Sequence, residues 1–517
     1  MSREKILKRR YVERENEKVY YIAIYAIFKM IHRSVIKKRS IGIMLLSSVL
    51  AFSIMSTSRS FQPPINIIST AGMVIYWPRV HVTVNANRVI GINNLSLGFM
   101  LDWEWKIWRD RTVLKQLARD ANFRLIRLFS HRIEPCIHWD EATRTGTFDW
   151  TNVDSIVREI FGIDAEPLIC IGFCDSKGII IPPGMAINAT TGLPYPESFA
   201  AYCAEWVKHF KQIQLPVKYY EVFNEPFFYF YKNWVYNETK LGYFLDLFNK
   251  CYDEMHKINP EILIGNDASL YRKFLDYWKT HGGKLDFFSF HKYDCDNLNM
   301  GDEIPLKRAE RRYFATDSIF YGIKDARQLW GANLPAIASE CNWAATLANG
   351  TDPRIQKEVG AAWLALVLRT AVLEGVQYII YYCFSSSKSW EATKPSGGFG
   401  FGMINHDDNQ PWYPYYVQKL IGTSLYPNDL LVESTSSSND IKVLSWIHES
   451  ELNLLLICKI NETRVVTFQG LTGQLDFFRI DGNVSYLTPQ VQIGRIDANE
   501  PFILYGYSVV LLKTTIM

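Results

Sequence analysis

The chain has 517 residues, 48% of them hydrophobic and 21% charged, a balance that packs a core and excludes wholesale disorder. Its formal net charge of +3 hides two unlike parts: residues 1–40 carry 12 Lys/Arg against 4 Glu, and the rest carries 44 Lys/Arg against 49 acidic residues. The body therefore shows no basic footprint for nucleic acid, while 15 Trp and 29 Tyr supply rings for cores or for stacking partners.

Residues 41–55, IGIMLLSSVLAFSIM, are uncharged and follow Lys37-Lys38-Arg39. Fifteen residues suit the apolar centre of a secretion signal, and extension to Ser58 makes a short membrane anchor. Positive charge ahead of the run leaves the N-terminus inside and the body outside. Met30 would begin a better-proportioned signal than Met1. Six Asn-x-Ser/Thr sites, at Asn94, Asn188, Asn237, Asn349, Asn461 and Asn483, accord with export. The nine cysteines are scattered and form no zinc pattern. Most read as small buried apolar residues, with a Cys170–Cys174 bridge as the one close pairing.

Residues 59–88 read as a linker with a strand, VHVTVNANRVI (80–90), that joins a later β-domain. Eight apolar runs follow, with helical patterns between them: VIGIN (89–93), FRLIRLF (123–129), EPLICIGF (166–173), KYYEVFNE (218–225), EILIGND (261–267), LDFFSFHKYD (285–294), PAIASE (335–340) and VQYIIYYCF (376–384). Continuous apolar runs suit parallel strands buried on both faces. Eight strand–helix alternations over 89–424 predict an α/β fold, a (β/α)₈ TIM barrel. From residue 425 to 517 the pattern changes to short strands separated by polar turns, an accessory antiparallel β-sandwich.

Barrel chemistry sits at the C-terminal ends of strands, so polar residues count where an apolar run stops. Run four stops at Asn224-Glu225, run six at His291-Lys292-Tyr293-Asp294 and run seven at Glu340; run two carries Arg127. A carboxylate at such a place is costly to bury unless it is bonded or used. Strands four and seven face each other across a barrel mouth. Two facing carboxyl groups are what glycoside cleavage needs, one to give a proton to the departing oxygen and one to attack the sugar carbon. On this reading Glu225 is the general acid/base and Glu340 the nucleophile. Arg127 and Tyr293 would hold Glu340 ionised and Asn224 would bind a sugar hydroxyl, with His291 beside them. Asp102, Trp103, Trp390 and Trp343 are candidate cleft residues, and Phe227, Phe228, Tyr229, Phe230, Tyr231, Trp234 and Tyr236 form an aromatic stretch after strand four. The plainer readings are a Glu-Pro turn, a structural ion pair, a satisfied buried histidine and rings that fill a core. The joint placement at the ends of three runs favours the catalytic one. No metal or organic cofactor is called for.

These residues resemble clan A glycoside hydrolases: Asn-Glu on strand four, Glu on strand seven, His-x-Tyr on strand six. Within the clan the chain looks most similar to glycoside hydrolase family 39, of β-xylosidase and α-L-iduronidase type. The similarity rests on FRLIRLFSHRI (123–133), GTFDWTNVDSIVREI (146–160), EPLICIGFCDS (166–176), YYEVFNEP (219–226) and GGFGFGMINHDDNQPWYPYYVQKLIG (397–422). Family 5, of cellulase type, is the second choice. The resemblance implies a retaining O-glycosidase with Glu225 as acid/base and Glu340 as nucleophile, acting on a β-linked glycoside or polysaccharide. Three alternatives stand beside it: a non-catalytic carbohydrate-binding surface protein, a transglycosidase using the same carboxylates, and an aldolase-type barrel using Lys292. The last is disfavoured, since strand alternation turns Lys292 outward when His291 and Tyr293 face in.

Overall fold

The computed structural model describes residues 66–68, 74–175, 178–232, 235–345, 350–483 and 490–516. The basic N-terminus, the apolar run at 41–58, Trp234 and Asn349 lie outside the described residues. Among the described residues no helix is long and apolar enough to cross a membrane.

Strand β1 (Arg79–Ile92) precedes eight parallel strands: β2 (Ser96–Leu101), β3 (Leu125–Phe129), β4 (Glu166–Asp175), β5 (Tyr219–Asn224), β6 (Leu263–Gly265), β7 (Phe288–Cys295), β8 (Ala336–Ala344) and β9 (Tyr378–Tyr381). They pair in the order β6-β5-β4-β3-β2-β9-β8-β7. The Asp286 N–H donates to the Ile264 carbonyl at 3.0 Å and Ala268 bridges Phe290, bringing the two ends of the order together. Helices follow each strand, among them α1 (Thr112–Asp120), α2 (Thr151–Phe161), α3 (Pro196–Gln212), α4 (Glu238–Ile258), α5 (Arg272–Thr280), α6 (Ile323–Trp330), α7 (Glu358–Leu373) and α8 (Tyr413–Gly422). This is the (β/α)₈ barrel.

Alternation along each strand sorts the side chains. Leu125 and Phe129 of β3 and Leu168 and Cys170 of β4 fill the barrel interior, while Ile126, Leu128, Ile169 and Ile171 meet the helices. Arg127 shares the inward phase of Leu125 and Phe129. Helix α7 is buried on almost every side, which explains its apolar sequence: the barrel lies on one flank and the β-domain touches the other.

The first barrel strand is SLGFML (96–101), not VIGIN (89–93). The latter ends β1, which pairs antiparallel with β10 (Leu430–Ser436) in the β-domain. Two apolar runs separated by Asn93-Asn94 compete for the role. Asn93 marks the break, because its side chain bonds the Leu95 N–H, the Leu95 carbonyl and the Tyr426 carbonyl.

The β-domain is one nine-stranded sheet. Its order runs β15 (Gln492–Asp497), β14 (Gln474–Ile480), β17 (Val509–Thr515), β12 (Glu451–Cys458), β11 (Ile441–His448), β10, β1, β13 (Arg464–Gln469), β16 (Phe502–Leu504). The β1–β13 pair is parallel, where an all-antiparallel domain was expected; β1 enters from outside the C-terminal segment, so its direction is not dictated by a hairpin. Val80, Val82, Leu454, Leu456, Val466, Val510 and Leu512 share one apolar cluster, so strands from both halves of the sheet face a common core. The intervening residues, Leu444, Leu455, Ile457, Val509 and Leu511, join the barrel's cluster instead. Period two thus gives the sheet two dry faces, one internal and one against the barrel. Trp446 seals that contact: it is buried, and its Nε1–H donates to the Ser424 carbonyl at 2.6 Å. All nine cysteines are buried, and none is in a disulfide. Cys170 and Cys174 form no bridge, because Cys170 points into the barrel interior.

Replacement Trp446→Ala removes a fully buried indole and its hydrogen bond. It should lower stability by about 3–5 kcal/mol, read as a lower urea midpoint with the barrel's far-ultraviolet spectrum retained before the transition.

Candidate active site

Arg127 stands at the centre of the site. It is fully buried, and its guanidinium spreads over three partners: Nε to Glu221 at 2.7 Å, Nη1 to Glu340 at 2.7 Å and Nη2 to the Asn224 carbonyl oxygen at 3.0 Å. A rigid fork of five donors suits this task, as a lysine would not. Glu221 completes its own shell with the Ser289 hydroxyl, which also meets Ser339 at 2.8 Å.

Both carboxylate-bearing strands depart from regular alternation to aim their side chains. On β5, Phe223 (φ 66°) and Glu225 (φ 45°) take left-handed backbone, which for non-glycine residues costs on the order of 1–3 kcal/mol each. The turn at Phe223 lets Asn224 reach Arg127 from the side that Glu221 also occupies. On β8 the pairing slips: Phe290 faces Ala338 but His291 faces Glu340. Ser339 and Glu340 therefore both reach the interior, which a regular strand forbids. A bulge that re-aims one side chain is a common device beside active sites.

Glu340 receives the Tyr293 hydroxyl at 2.5 Å in addition to Arg127. Burial pulls its proton affinity up, His291 and Arg127 pull it down, Glu225 pushes it up again, and the balance lies above the ordinary value of 4.5. His291 lies between the two carboxylates, Nδ1 being 3.2 Å from Glu225 Oε1 and 3.5 Å from Glu340 Oε2. Burial pushes the imidazole down from 6.5 to about 4, so it is neutral at physiological pH. One carboxylate oxygen of Glu225, one of Glu340 and a His291 ring nitrogen all lie within 4.8 Å of one another. The set is a poor seat for a metal ion, because the Arg127 guanidinium already neutralises Glu340 and would repel a second cation.

The structure thus brings together Glu225, Glu340, Asn224, Arg127, His291 and Tyr293. Asp102 joins from β2: its carboxylate accepts the Tyr382 hydroxyl at 2.9 Å and the Arg132 Nε–H at 2.5 Å. Trp103 is 44% exposed and edge-on to His406, and Trp390 is 61% exposed with the Lys394 ammonium 4.6 Å over its ring. Neither touches the carboxylate cluster. Trp343 does not belong to the cleft. The β8 slip that turns Glu340 inward turns Trp343 outward into the core, where it bonds Asp352 at 3.1 Å and meets Trp363 edge-on. The aromatic stretch divides likewise: Phe230 packs on Phe244 and Phe274, while Phe228 stays 41% exposed and stacked on Phe227. Lys292 faces away from the cleft and is clamped by Asp294 at 2.7 Å.

Four residues of this site were not singled out in the sequence: Glu221, Ser289, Asp267 and Tyr382. Glu221 carried a signal, an acid inside an apolar strand. Asp267 carried another, since run five also ends on a carboxylate.

No family model and no curated protein sequence matches the chain. Solved structures do match it in fold. A monomeric β-xylosidase from Caulobacter crescentus CB15 superposes with a TM-score of 0.57 at 14% identity, covering 84% of this chain and 99% of that one. The GH39 enzyme from Xanthomonas axonopodis pv. citri gives 0.56 at 14% identity, covering 87% and 100%. An α-L-arabinofuranosidase from Thermotoga maritima gives 0.59 at 13% identity, covering 84% and 100%. The fold is that of these clan A glycoside hydrolase structures, barrel and β-domain together.

Replacement Glu221→Leu removes one counter-charge from a buried guanidinium. It should cost roughly 3–5 kcal/mol, seen as a lowered urea midpoint; a change below 1 kcal/mol would mean that Arg127 finds its balance elsewhere.

Proposed function

We propose that the protein is a retaining O-glycoside hydrolase that cleaves a β-linked glycoside or polysaccharide by double displacement. One observation carries the reading: Glu225 and Glu340, at the ends of the fourth and seventh barrel strands, approach within 4.8 Å. That spacing matches the roughly 5–5.5 Å of retaining pairs and leaves no room for the interposed water of inverting ones.

The roles follow from the surroundings. Glu340 meets two donors, the Tyr293 hydroxyl and the Arg127 cation, which favour the ionised form and aim it as the nucleophile at the sugar carbon. Arg127 spends its arms on Glu340, Glu221 and Asn224, so Glu340 is the carboxylate held ionised and Glu225 is assigned the proton. It gives that proton to the departing oxygen, then takes one from water as the glycosyl–Glu340 ester is hydrolysed. The Asn224 carbonyl oxygen is held by Arg127, which leaves its amide N–H groups to donate to a sugar hydroxyl. Asp102, the exposed Trp103 and Trp390, and Phe228 are assigned to the walls of the cleft. Export or membrane anchoring with the catalytic body outside is part of the same proposal. It rests on the apolar run at 41–58 and the basic residues before it.

The test is a panel of aryl β-glycosides and soluble β-glycans, with xylosides and arabinosides included because the similar structures bear those names. Glu340→Ala should lose turnover and regain it with azide as an inverted glycosyl azide. Glu225→Ala should lose about 10²–10⁴-fold, least with the best leaving groups. Full activity in Glu340→Ala would overturn the reading.

The acid limb of kcat/KM reports Glu340 in the free enzyme. Because its proton affinity is raised, that limb should lie above pH 4.5, and activity should fall as pH drops through it. A pH–rate profile with a limb well below 4.5 would contradict this balance.

A further inference from the structure

Behind the catalytic pair lies a fourth carboxyl group with no task in the mechanism above. Asp267 follows β6 and is 3% exposed. Its Oδ2 accepts the Glu225 backbone N–H at 2.5 Å and lies 3.3 Å from His291 Nε2. Its Oδ1 is buried with no hydrogen-bond partner, and His291 Nε2, also buried, makes no hydrogen bond in this state. Catalytic contacts are often long in the unliganded state and tighten with substrate.

Asp267 has no cation of its own. The three guanidinium nitrogens of Arg127 are committed to Glu221, Glu340 and Asn224. The groups that face Asp267 are Glu221 and Glu225 from β5, Arg127 from β3 and His291 from β7, with Cys170 and the phenols of Tyr271 and Tyr313 further out. A buried carboxylate among other carboxylates, with one backbone donor, is better held as the neutral acid. Its proton affinity is raised by burial, then by Glu225 and Glu221.

Resting on the glycosidase reading, we propose that Asp267 is a positioning residue: it is held as a neutral acid whose O–H donates to His291 Nε2, fixing the imidazole as the Nδ1–H tautomer that donates to Glu225. A neutral ring then serves as a donor to the acid/base without adding a charge. It supports the Glu225 carboxylate as the proton leaves for the departing group. The same Nδ1–H lies 3.5 Å from Glu340, so it opposes neither carboxylate. The arrangement also explains why one oxygen of Asp267 meets both the Glu225 N–H and His291 Nε2: it ties the left-handed backbone of Glu225 to the orientation of the ring.

Asp267→Asn tests this sharply. The Glu225 N–H requires an acceptor, so the amide oxygen takes the place of Oδ2. An amide oxygen only accepts, and His291 must switch to the Nε2–H tautomer. Its bare Nδ1 then favours protonated Glu225. The experiment has two arms on the full chain. Two-bond ¹H–¹⁵N spectra of ¹⁵N-histidine protein, with His291 assigned by its loss in His291→Asn, should show a neutral Nδ1–H ring in wild type and Nε2–H in Asp267→Asn. The basic limb of kcat/KM, on the aryl glycoside that wild type cleaves best, should move up by about one pH unit in Asp267→Asn, the size of a lost hydrogen bond to a charged group. A merely structural role would lower the rate without moving the limb. An Nε2–H ring in wild type overturns the proposal whether or not the variant folds. A wild type that cleaves no glycoside while its ring is Nδ1–H overturns the functional reading and leaves the coupling of Asp267 to His291 established.

Discussion

The Arg127 guanidinium is the constraint from which the site is built. It lies inside the barrel with no exposure, and a buried cation is tolerated only when paired and fully bonded. Its three arms meet those terms with groups from two strands, Glu221 and Asn224 from β5 and Glu340 from β8. One side chain therefore fixes the separation of the fourth and seventh strands at the mouth, and with it the separation of the two carboxyl groups. The left-handed residues on β5 and the slipped register on β8 are the backbone adjustments that let both strands reach it. Strain of this kind persists where surrounding bonds over-determine it, and the Arg127 network is that surrounding.

The charge balance follows. Arg127 is one cation facing Glu221 and Glu340, so a further ionised carboxyl group in the same interior would be uncompensated. Asp267, its proton affinity raised by burial, is where a proton is expected to reside, and the neutral His291 beside it adds no charge. On the proposed mechanism, two glutamates of identical chemistry are given different tasks by their neighbours. The β-domain acts at a distance: it covers the outer flank of α7 with Leu455, Ile457, Val509 and Leu511, and α7 in turn backs β8, the strand that carries Glu340.

Much of this was legible in the sequence, because a barrel reduces to a rule about where apolar runs stop. Runs four, six and seven led to Asn224, Glu225, His291, Tyr293 and Glu340, and Arg127 stood out as a cation within a buried strand. The misreadings have local causes. VIGIN (89–93) and SLGFML (96–101) are adjacent apolar runs that periodicity cannot rank, and the Asn93 side-chain bonds that separate them depend on Tyr426, more than 300 residues away. Trp343 was placed by its nearness to Glu340 in the chain, three residues on, and alternation from an inward Glu340 turns it into the core. Asp267 obeyed the strand-end rule, but its importance rests on contacts with the Glu225 backbone and the His291 ring that the chain order does not reveal.

In the proposed mechanism Glu340 becomes covalently bonded to a sugar. The most direct measurement is intact-protein and peptide mass spectrometry after incubation with activated 2-deoxy-2-fluoro aryl β-glycosides, which form the intermediate faster than it breaks down. Double displacement predicts one added fluoroglycosyl mass per chain, located on the peptide that contains Glu340 and absent in Glu340→Gln. Labelling at another residue, or turnover of the parent glycoside with no labelling at all, would contradict it.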